Sequence, residues 1–198
     1  MRIGLILMAS GFASRFGANK LLAEVDGIPL IRRAMAAYPP GLFHRAAVVS
    51  QYPEILSLAE ERGYTAVPNP SAAEGISSSI RMGLAALEGA NAALFAVSDQ
   101  PWLTVDSVQR VLYAPAAAPG SIIALSWRGR KGNPCLFPRE FYPELFALTG
   151  DSGGGAVIRA HPDRLVLVEA ADPRELRDVD TLNDLRSEEH TSELQSHA

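Results

Sequence analysis

The segment from Ala9 to Lys20 carries the residue types best suited to bind an anion. It follows a short apolar run and reads Ala-Ser-Gly-Phe-Ala-Ser-Arg-Phe-Gly-Ala-Asn-Lys. Gly11 and Gly17 let the backbone approach a ligand closely, and the exposed N–H groups of such a loop form an anion-binding concavity. Arg15 can hold a phosphate through two hydrogen bonds, and Lys20 adds a mobile point charge. Together these residues favour a triphosphate-binding loop.

The spacing within this loop excludes two well-known phosphate-binding motifs. Gly11, Gly17 and Lys20 do not follow the Walker A spacing, and no Ser or Thr comes directly after the lysine. The loop also lacks the paired glycines of the dinucleotide-binding fingerprint. The alternative interpretation is a surface loop with two solvated cations. The position of the loop directly after the first apolar segment favours binding.

Two acidic positions are candidates for a metal site. Asp99 follows the apolar run Ala92–Val97, where a carboxylate can ligate Mg²⁺ that bridges phosphate oxygens. Asp180, two residues after Asp178, can supply a second carboxylate. The alternatives are a turn before Pro101 for the first position and a helix cap for the second. Spacing alone leaves open whether the two carboxylates meet.

Three consecutive serines form a further candidate site. Ser77, Ser78 and Ser79 begin a predicted helix after Gly75. Helix N-termini attract anions and polar ligand atoms, which favours a contact with a ligand. Serine is also a common helix-capping residue, which favours a structural role. On the sequence alone, the two interpretations have equal weight.

Short apolar runs alternate with amphipathic segments along the chain. The run Ile3–Met8 is typical of a strand that is buried on both faces. The alternation predicts an α/β fold, a three-layer Rossmann-like arrangement with a mostly parallel sheet. Ligands gather at the carboxyl ends of the strands in such sheets. We therefore expect chemistry in the loops after Met8, Val67, Val97 and Ser126.

Length and composition limit the domain organisation. The chain has 198 residues, of which 47% are hydrophobic and 20% charged. This suits a single domain, which we place at residues 1–185. The segment 186–198 lacks apolar periodicity and resembles translated sequencing-adapter DNA. We expect it to be a disordered, non-native tail and exclude it from the fold.

Composition also limits the partners and the compartment. The formal net charge is −4, and Lys and Arg are not clustered, so no nucleic-acid partner is expected. No apolar run reaches the ~18 residues of a membrane span, and no leader-peptide pattern follows Met1, so no membrane association is expected. Cys135 is the single cysteine, which favours a cytoplasmic location. A small buried hydrophobe is its preferred interpretation, ahead of a thiol nucleophile.

These segments together resemble the molybdenum cofactor nucleotidyltransferases, which are part of the wider Rossmann-like NTP transferases. The resemblance begins in the loop at Met8–Leu22 and covers about residues 3–185 in order. No single segment is specific, but the ordered set is. It implies the nucleotidyltransferase fold. The further matching segments are Val25–Leu30, Gly75–Ser79, Ser98–Pro101, Gly132–Pro134, Leu136–Pro138, Gly150–Gly153 and Asp178–Thr181.

The resemblance implies which residues bind the nucleotide and the metal. The implied catalytic residues are Arg15, Lys20 and Asp99. The two cations would hold the triphosphate, and Asp99 would bind Mg²⁺ together with Asp180. The implied nucleotide-binding residues are Ala9, Ser10, Gly11, Gly17, Gly75, Ser77, Ser78 and Ser79.

The resemblance also implies the substrates. The sequence Ala9-Ser10-Gly11 and Gln100 are similar to the cytidylyl-transferring branch, so CTP is expected rather than GTP. The implied reaction transfers CMP to the phosphate of molybdopterin and releases pyrophosphate, and a molybdoenzyme apoprotein is a candidate partner. The implied acceptor-binding residues are Asn133, Pro134, Asp151 and Gly153.

Two alternative functions remain open at this point. One is a nucleotidyltransferase that uses GTP or a sugar or polyol phosphate as acceptor, since it would share the loop and the metal carboxylate. The other is a non-catalytic chaperone that binds a nucleotide or a pterin. Pyrophosphate release separates the enzymes from the chaperone, and a panel of acceptors separates the enzymes from one another.

Overall fold

The computed structural model describes residues 1–11, 19–180 and 184. Arg15 and Gly17 lie outside the described residues, as does the segment 186–198. The predictions for these two residues, for the tail and for the domain boundary therefore stay predictions.

Nine strands and six α-helices alternate along the described residues. The strands are β1 (Ile3–Met8), β2 (Glu24–Val25), β3 (Ile28–Pro29), β4 (Arg45–Ser50), β5 (Thr65–Pro68), β6 (Ala92–Val97), β7 (Ile122–Trp127), β8 (Arg130–Pro138) and β9 (Leu165–Glu169). The helices are α1 (Leu30–Ala37), α2 (Pro53–Glu61), α3 (Ile76–Ala86), α4 (Val105–Tyr113), α5 (Tyr142–Phe146) and α6 (Gly154–Ala160).

Seven of these strands form one sheet in the order β5-β4-β1-β6-β8-β7-β9. Neighbouring strands are parallel except at β8, which is antiparallel to both β6 and β7. The predicted three-layer α/β fold with a mostly parallel sheet is confirmed. The extent of β8 was not predicted, because only Cys135–Phe137 in its second half is a continuous apolar run. Its reversed direction brings Arg130 to the edge at which the parallel strands end.

The core lies on both faces of the sheet. Leu5 and Leu7 of β1 pack into one apolar cluster, Ile6 packs into the other, and all three are fully buried. This explains why the strand is a continuous apolar run, since each buried aliphatic side chain contributes roughly 1.5–3 kcal/mol. No helix among the described residues is long and apolar enough to cross a lipid bilayer.

Helix α3 lies unusually close to the sheet. A methyl group at Gly83 would be 2.4 Å from Cγ2 of Ile6, so a larger residue there would push the helix away from β1. Because α3 follows β5 in a right-handed crossover, the helix begins at the carboxyl edge of the sheet. The predicted serines at its start therefore lie where ligands bind in this class of fold.

Candidate functional site

A cavity of about 450 Å³ opens at the carboxyl edge of the sheet. Its walls come from the ends of β1 and β6, from the segment before α3, and from Asp151. The loops after Met8, Val67 and Val97 thus meet here as predicted. The turn after Ser126 does not line the cavity.

Lys20 forms hydrogen bonds with two carboxylates that are distant in sequence and lie beside this cavity. Its Nζ atom donates to Oδ2 of Asp99 at 3.1 Å and to Oδ1 of Asp180 at 3.2 Å. The side chains of Lys20 and Asp99 are only 17% and 28% exposed, which limits screening by solvent. The structure therefore brings together three residues whose proximity the sequence left open. We call Lys20, Asp99 and Asp180 the lysine–carboxylate cluster.

Backbone contacts hold the cluster in place. Lys20 starts a 3₁₀ turn that ends at Leu22, and the side chain of Asn19 caps this turn by accepting from the N–H of Leu21 at 3.1 Å. On the other side, the N–H of Val179 donates to the carbonyl of Asp99 at 2.9 Å. This bond places Asp180, the next residue, against the segment that follows β6.

Gln100 strengthens the contact between the segment that follows β6 and the segment Leu176–Asp180, which we call the junction. Its Nε2 atom donates to Oδ1 of Asp178 at 2.8 Å and to the carbonyl of Leu176 at 3.4 Å. Gln100 is 4% exposed and does not line the cavity. Its side chain thus positions the segment Leu176–Asp180, and any influence on the choice of nucleotide passes through that segment.

A small apolar cluster supports the outer side of the junction. Val25, Leu30 and Val179 are buried together, and Trp102 packs against them. The β2–β3 hairpin contributes Val25 and stands just before α1. The sequence did not predict this hairpin, because two-residue strands produce no detectable alternation. Its packing fixes Val179 and, through it, the acidic residues on either side.

The electrostatics of the junction favour a cation. Burial raises the pKa of the Asp178 carboxyl, and the nearby charge of Asp99 raises it further. Hydrogen bonding from Gln100 and the charge of Lys20 act in the opposite direction. One ammonium thus faces three carboxyl groups. The pKa of Asp178 is therefore raised mainly by burial and in smaller part by the neighbouring carboxylates, whose charge favours a cation at this place.

The cluster fits a divalent metal with two protein ligands. Asp99 and Asp180 each accept from the same ammonium through one oxygen, so both carboxylates face one position that a cation occupies. Among the described residues, no three His, Cys, Asp or Glu side chains are grouped to hold a metal. Mg²⁺ usually takes only one or two carboxylates and completes its shell with water and substrate phosphates.

The start of the predicted phosphate loop is held by side chains at the end of β4 and directly after it. The carbonyls of Ala9, Ser10 and Gly11 accept hydrogen bonds of 2.8, 2.7 and 3.0 Å, respectively. The donors are Ser50 Oγ, Gln51 Nε2 and Tyr52 OH. We call these three donors the loop clamp.

The loop clamp sets the direction of the backbone amides. In a trans peptide the carbonyl and the following N–H point in opposite directions. Because the carbonyls of Ala9 and Ser10 turn towards the clamp, the N–H groups of Ser10 and Gly11 turn away from it. Both of these residues line the cavity. The clamp was not predicted from the sequence, because Ser-Gln-Tyr at the end of a strand is not a recognisable motif.

The start of α3 is arranged differently from its prediction. Gly75 and Ser79 line the cavity, whereas Ser77 and Ser78 do not and are at most 2% exposed. The N–H of Ser77 donates to the carbonyl of Gly150 at 3.1 Å. Gly75 has a φ of 97°, and a methyl group there would lie 2.4 Å from the carbonyl carbon of Gly150, so only glycine fits.

Asn69 orients the two serines that follow. Its Nδ2 atom donates to Oγ of Ser78 and to Oγ of Ser79, both at 3.0 Å, and Asn69 is 1% exposed. It stands directly after β5 and was not predicted as a site residue. Of the serines, only Ser79 combines a contact with this asparagine and a place in the cavity wall.

The predicted acceptor residues divide into two groups. Asp151 lines the cavity, and its Oδ1 would lie 2.6 Å from a methyl group at Gly75, so its carboxylate faces the start of α3. Asn133 and Pro134, joined by a cis peptide bond, and Gly153 are not part of the cavity wall. A methyl group at Gly153 would lie 3.7 Å from Ile76, which does line the cavity, so this glycine adjoins it.

Cys135 has no part in this chemistry. It is buried on β8, and burial raises the pKa of its thiol to about 11. A thiol of that pKa is almost entirely protonated at neutral pH and is a poor nucleophile. The preferred interpretation of the lone cysteine, a small buried hydrophobe, agrees with this placement.

The fold and cavity agree with a comparison to known families. The model of the MobA-like NTP transferase domain matches residues 5–165, most of the chain. The chain belongs to this family. The match spans β1 to the beginning of β9 and includes the phosphate loop, Lys20 and Asp99. The MobA-like protein is accordingly a nucleotidyltransferase.

A curated relative and three solved structures resemble this MobA-like protein over nearly its whole length. Nicotine blue oxidoreductase of Paenarthrobacter nicotinovorans is 27% identical over 191 residues, which cover 91% of this chain and 93% of the relative. A nucleotidyl transferase of Methanothermobacter thermautotroptrophicus has a TM-score of 0.80 at 23% identity, covering 96% of this chain and 97% of the other.

Two further structures carry ligands in their descriptions. Rv0371c of Mycobacterium tuberculosis H37Rv, in complex with manganese, has a TM-score of 0.72 at 21% identity and covers 94% and 97% of the two chains. CMP:2-keto-3-deoxy-manno-octonic acid synthetase, complexed with CTP, has a TM-score of 0.73 at 14% identity and covers 98% and 100%. At these identities the three structures establish the shared fold.

Proposed function

We propose that the protein transfers CMP from CTP to the phosphate of molybdopterin and releases pyrophosphate. The observation that carries the proposal is the lysine–carboxylate cluster at a cavity whose wall includes the start of a glycine-containing loop. A cation, backbone amides and two carboxylates at one place are the groups that hold and neutralise a polyphosphate with its metal ion.

The triphosphate lies along the loop after β1. The N–H groups of Ser10 and Gly11 point away from the loop clamp and provide donors for phosphate oxygens. Lys20 contributes a charge on a long stem that can move from the carboxylates to a phosphate. Arg15 completes this set in the proposal. Gly75 and Ser79, in the opposite wall, are placed to contact the base and ribose.

Asp99 and Asp180 would hold Mg²⁺, which neutralises phosphate charge and favours in-line displacement when bound. The two carboxylates share a cation through one oxygen each, which suits an ion that takes its other ligands from phosphates and water. A relative that binds manganese supports a divalent metal in this fold.

The acceptor phosphate needs no general base. The second pKa of a phosphate monoester is about 6, so the group is already a dianion at neutral pH. No histidine is among the described residues of the cavity wall, in agreement with such chemistry. The remaining barrier is repulsion between two anions, which Lys20 and the loop amides reduce by positioning and neutralising them.

CTP is the proposed nucleotide. The resemblance of the first loop and of Gln100 to the cytidylyl-transferring branch supports it, and one structural relative is complexed with CTP. GTP is the competing nucleotide, and a sugar or polyol phosphate is the competing acceptor. A molybdoenzyme apoprotein is the proposed recipient of the product.

The proposal is tested by turnover with purified protein, Mg²⁺ and molybdopterin. CTP or GTP is supplied in parallel reactions, and both pyrophosphate and the nucleotidylated pterin are quantified. We expect product with CTP and little with GTP. Faster turnover with a sugar or polyol phosphate would replace the proposed acceptor. CTP binding without pyrophosphate release under all conditions would favour a chaperone.

A second candidate function comes from the curated relative. Its name describes an oxidoreductase, and it is 27% identical over 91% of this chain. Hydride transfer from a nicotinamide would depend on a reduced cofactor and would leave the lysine–carboxylate cluster without a catalytic role. One measurement distinguishes the two functions, namely the rate at which the protein oxidises a reduced nicotinamide cofactor in the presence of quinone or dye acceptors. We expect no oxidation above the rate measured without protein, whereas an oxidoreductase would oxidise the cofactor equally well with the wild type and with Asp99→Asn.

A further inference from the structure

Two cations meet over a glycine at the beginning of α6. A methyl group at Gly155 would lie 3.5 Å from Nη1 of Arg159 and 3.8 Å from Nζ of Lys131. Arg159 belongs to the same helix and Lys131 to β8, so two separate elements direct their charges to one small space. Glycine leaves that space open. We call Lys131 and Arg159 the cation pair.

No carboxylate in the described part of the chain neutralises the cation pair. Within residues 1–11, 19–180 and 184, neither side chain takes part in an ion pair. By contrast, Arg33, Arg81 and Arg164 each contact a carboxylate at 2.7–3.0 Å. Two like charges that face one space repel each other, and an anion placed between them removes that repulsion.

The cation pair lies at the same edge of the sheet as the cavity. Lys131 stands near the start of the antiparallel strand β8, four residues before Cys135, which pairs with Phe95 of β6. Lys131 is therefore at the edge of the sheet where Asp99 follows β6. On the side of α6, Gly153 adjoins Ile76 of the cavity wall.

Asp151, the acidic residue nearest to Gly155 along the chain, faces Gly75, and Asp163, four residues after Arg159, forms no ion pair with it in the described part of the chain. Oδ1 of Asp151 points to Gly75 at the start of α3, as described above. The side chains of Lys131 and Arg159 alone define the site.

We propose that the cation pair binds an anion of the phosphate-monoester class, supplied by the acceptor. Arginine offers a planar fork of donors and lysine a compact charge, a combination that suits a tetrahedral dianion. The assignment to the acceptor rests on the proposed function, since a nucleotidyltransferase of this kind must hold a second anion beside the triphosphate. Anion binding itself does not depend on that function.

The test is a titration of the ¹⁵N-labelled protein with inorganic phosphate, followed by NMR. Amide signals of Gly153–Gly155 report on the cation pair, and those of Ser10 and Gly11 report on the loop. We expect both groups to shift with phosphate. With CTP and Mg²⁺ present, the loop signals should no longer respond to phosphate, whereas the Gly153–Gly155 signals should still do so.

Lys131→Gln and Arg159→Gln should each weaken phosphate binding at Gly153–Gly155 by about tenfold, since each removes one charged hydrogen-bond donor. The double variant should abolish the response. Arg130→Gln is the matched control, because it removes a charge from the neighbouring position of β8, whose side chain points to the other face. Thermal unfolding shows that each variant is folded.

A further variant places a carboxylate between the two cations. A side chain at Gly155 would meet both cations at ordinary contact distances, so Gly155→Asp can pair with them internally. It should remove phosphate binding at this site and leave the loop response unchanged. The inference is wrong if Gly153–Gly155 signals ignore phosphate in the wild type, or if the double variant binds it normally.

The two proposals fail in different ways. If the cation pair binds phosphate but CTP never shifts Ser10 and Gly11, the anion site stands and the proposed nucleotide is wrong. If CTP shifts the loop and turnover occurs, but the double variant retains the Michaelis constant of the acceptor, the proposed function stands and the assignment of the pair to the acceptor is wrong.

Discussion

The two charged regions at the carboxyl edge of the sheet are arranged in opposite ways. In the lysine–carboxylate cluster, Lys20 is neutralised by Asp99 and Asp180 within the protein. In the cation pair, Lys131 and Arg159 share a space, and neither forms an ion pair with a described carboxylate. In the first arrangement the described carboxylates outnumber the ammonium, which suits the metal site that we propose. The second leaves positive charge for an incoming anion to neutralise.

Among the variants, Asp99→Asn should lower kcat the most. It keeps the shape of the side chain and removes the charge that we assign to the metal, so kcat should fall by about 10³-fold or more. The measurement is pyrophosphate release at saturating substrates, together with Mn²⁺ binding. Asp163→Asn, which removes an exposed charge in the 3₁₀ turn before β9, is the control. Near-normal turnover in Asp99→Asn would contradict the site.

Lys20→Ala and Lys131→Ala give a direct comparison, because the chain has only these two lysines. Lys20→Ala removes the charge beside the triphosphate and should lower kcat by about 10²-fold. Lys131→Ala should raise the KM for the acceptor by about tenfold and leave the KM for CTP unchanged. Equal effects of both variants on all constants would mean that the two regions do not have separate roles.

Gln51→Leu tests the loop clamp. Without the amide donor, the carbonyl of Ser10 loses its 2.7 Å hydrogen bond, and the N–H of Gly11 is no longer held towards the cavity. The KM for CTP should rise by about tenfold, while kcat changes less than threefold. Thermal unfolding separates this from general destabilisation, and Tyr113→Phe on the exposed end of α4 is a neutral control.

Glu175→Gln should have the smallest effect on activity and a measurable effect on stability. Burial would raise the pKa of Glu175, but hydrogen bonds from Ser107, Thr104 and Ala171 outweigh it and lower the pKa. This carboxylate anchors the segment that leads to Asp180, accepting from the N–H and hydroxyl of Thr104 at 3.1 and 2.8 Å. The variant should lose about 1–3 kcal/mol of unfolding free energy at pH 7.

The pH dependence of that loss has a defined sign. Because the pKa of Glu175 is lower in the folded state, its stabilisation is complete above the ordinary carboxyl pKa of about 4.3 and disappears as pH falls through the folded value. Urea unfolding of both proteins at pH 7 and in the acid range measures the difference. If the difference in unfolding free energy between wild type and variant stayed the same down to low pH, it would contradict the proposed role of the Glu175 charge.

Much of the fold followed from local patterns. The boundaries of β1 and β6 agree with the apolar runs in the sequence, because a continuous apolar run is specified over a few residues. The first half of β8 and the β2–β3 hairpin were missed. Arg130 and Lys131 give no apolar signal, and the two-residue strands are too short to show alternation.

The candidate site was only partly predictable for a related reason. Lys20 and Asp99 were recognisable as residue types in suitable loops. Asn69, Gln51 and Tyr52 were not, because they act by holding backbone or side chains that come from other elements. Such hydrogen bonds depend on which strand ends lie next to each other, and that order is not encoded in spacing along the chain.

The amino-acid sequence by itself determined the alternation of strands and helices, the edge of the sheet at which ligands bind, and the chemical types available there. Only the tertiary structure decided that Asp180 reaches Lys20, that Ser77 turns into the protein, and that Lys131 and Arg159 face one space. The physical reason is the separation along the chain over which each kind of interaction acts. Propensity and apolar periodicity act over a few residues, whereas ion pairs and cavities join residues that only the packing of the sheet and its helices brings together.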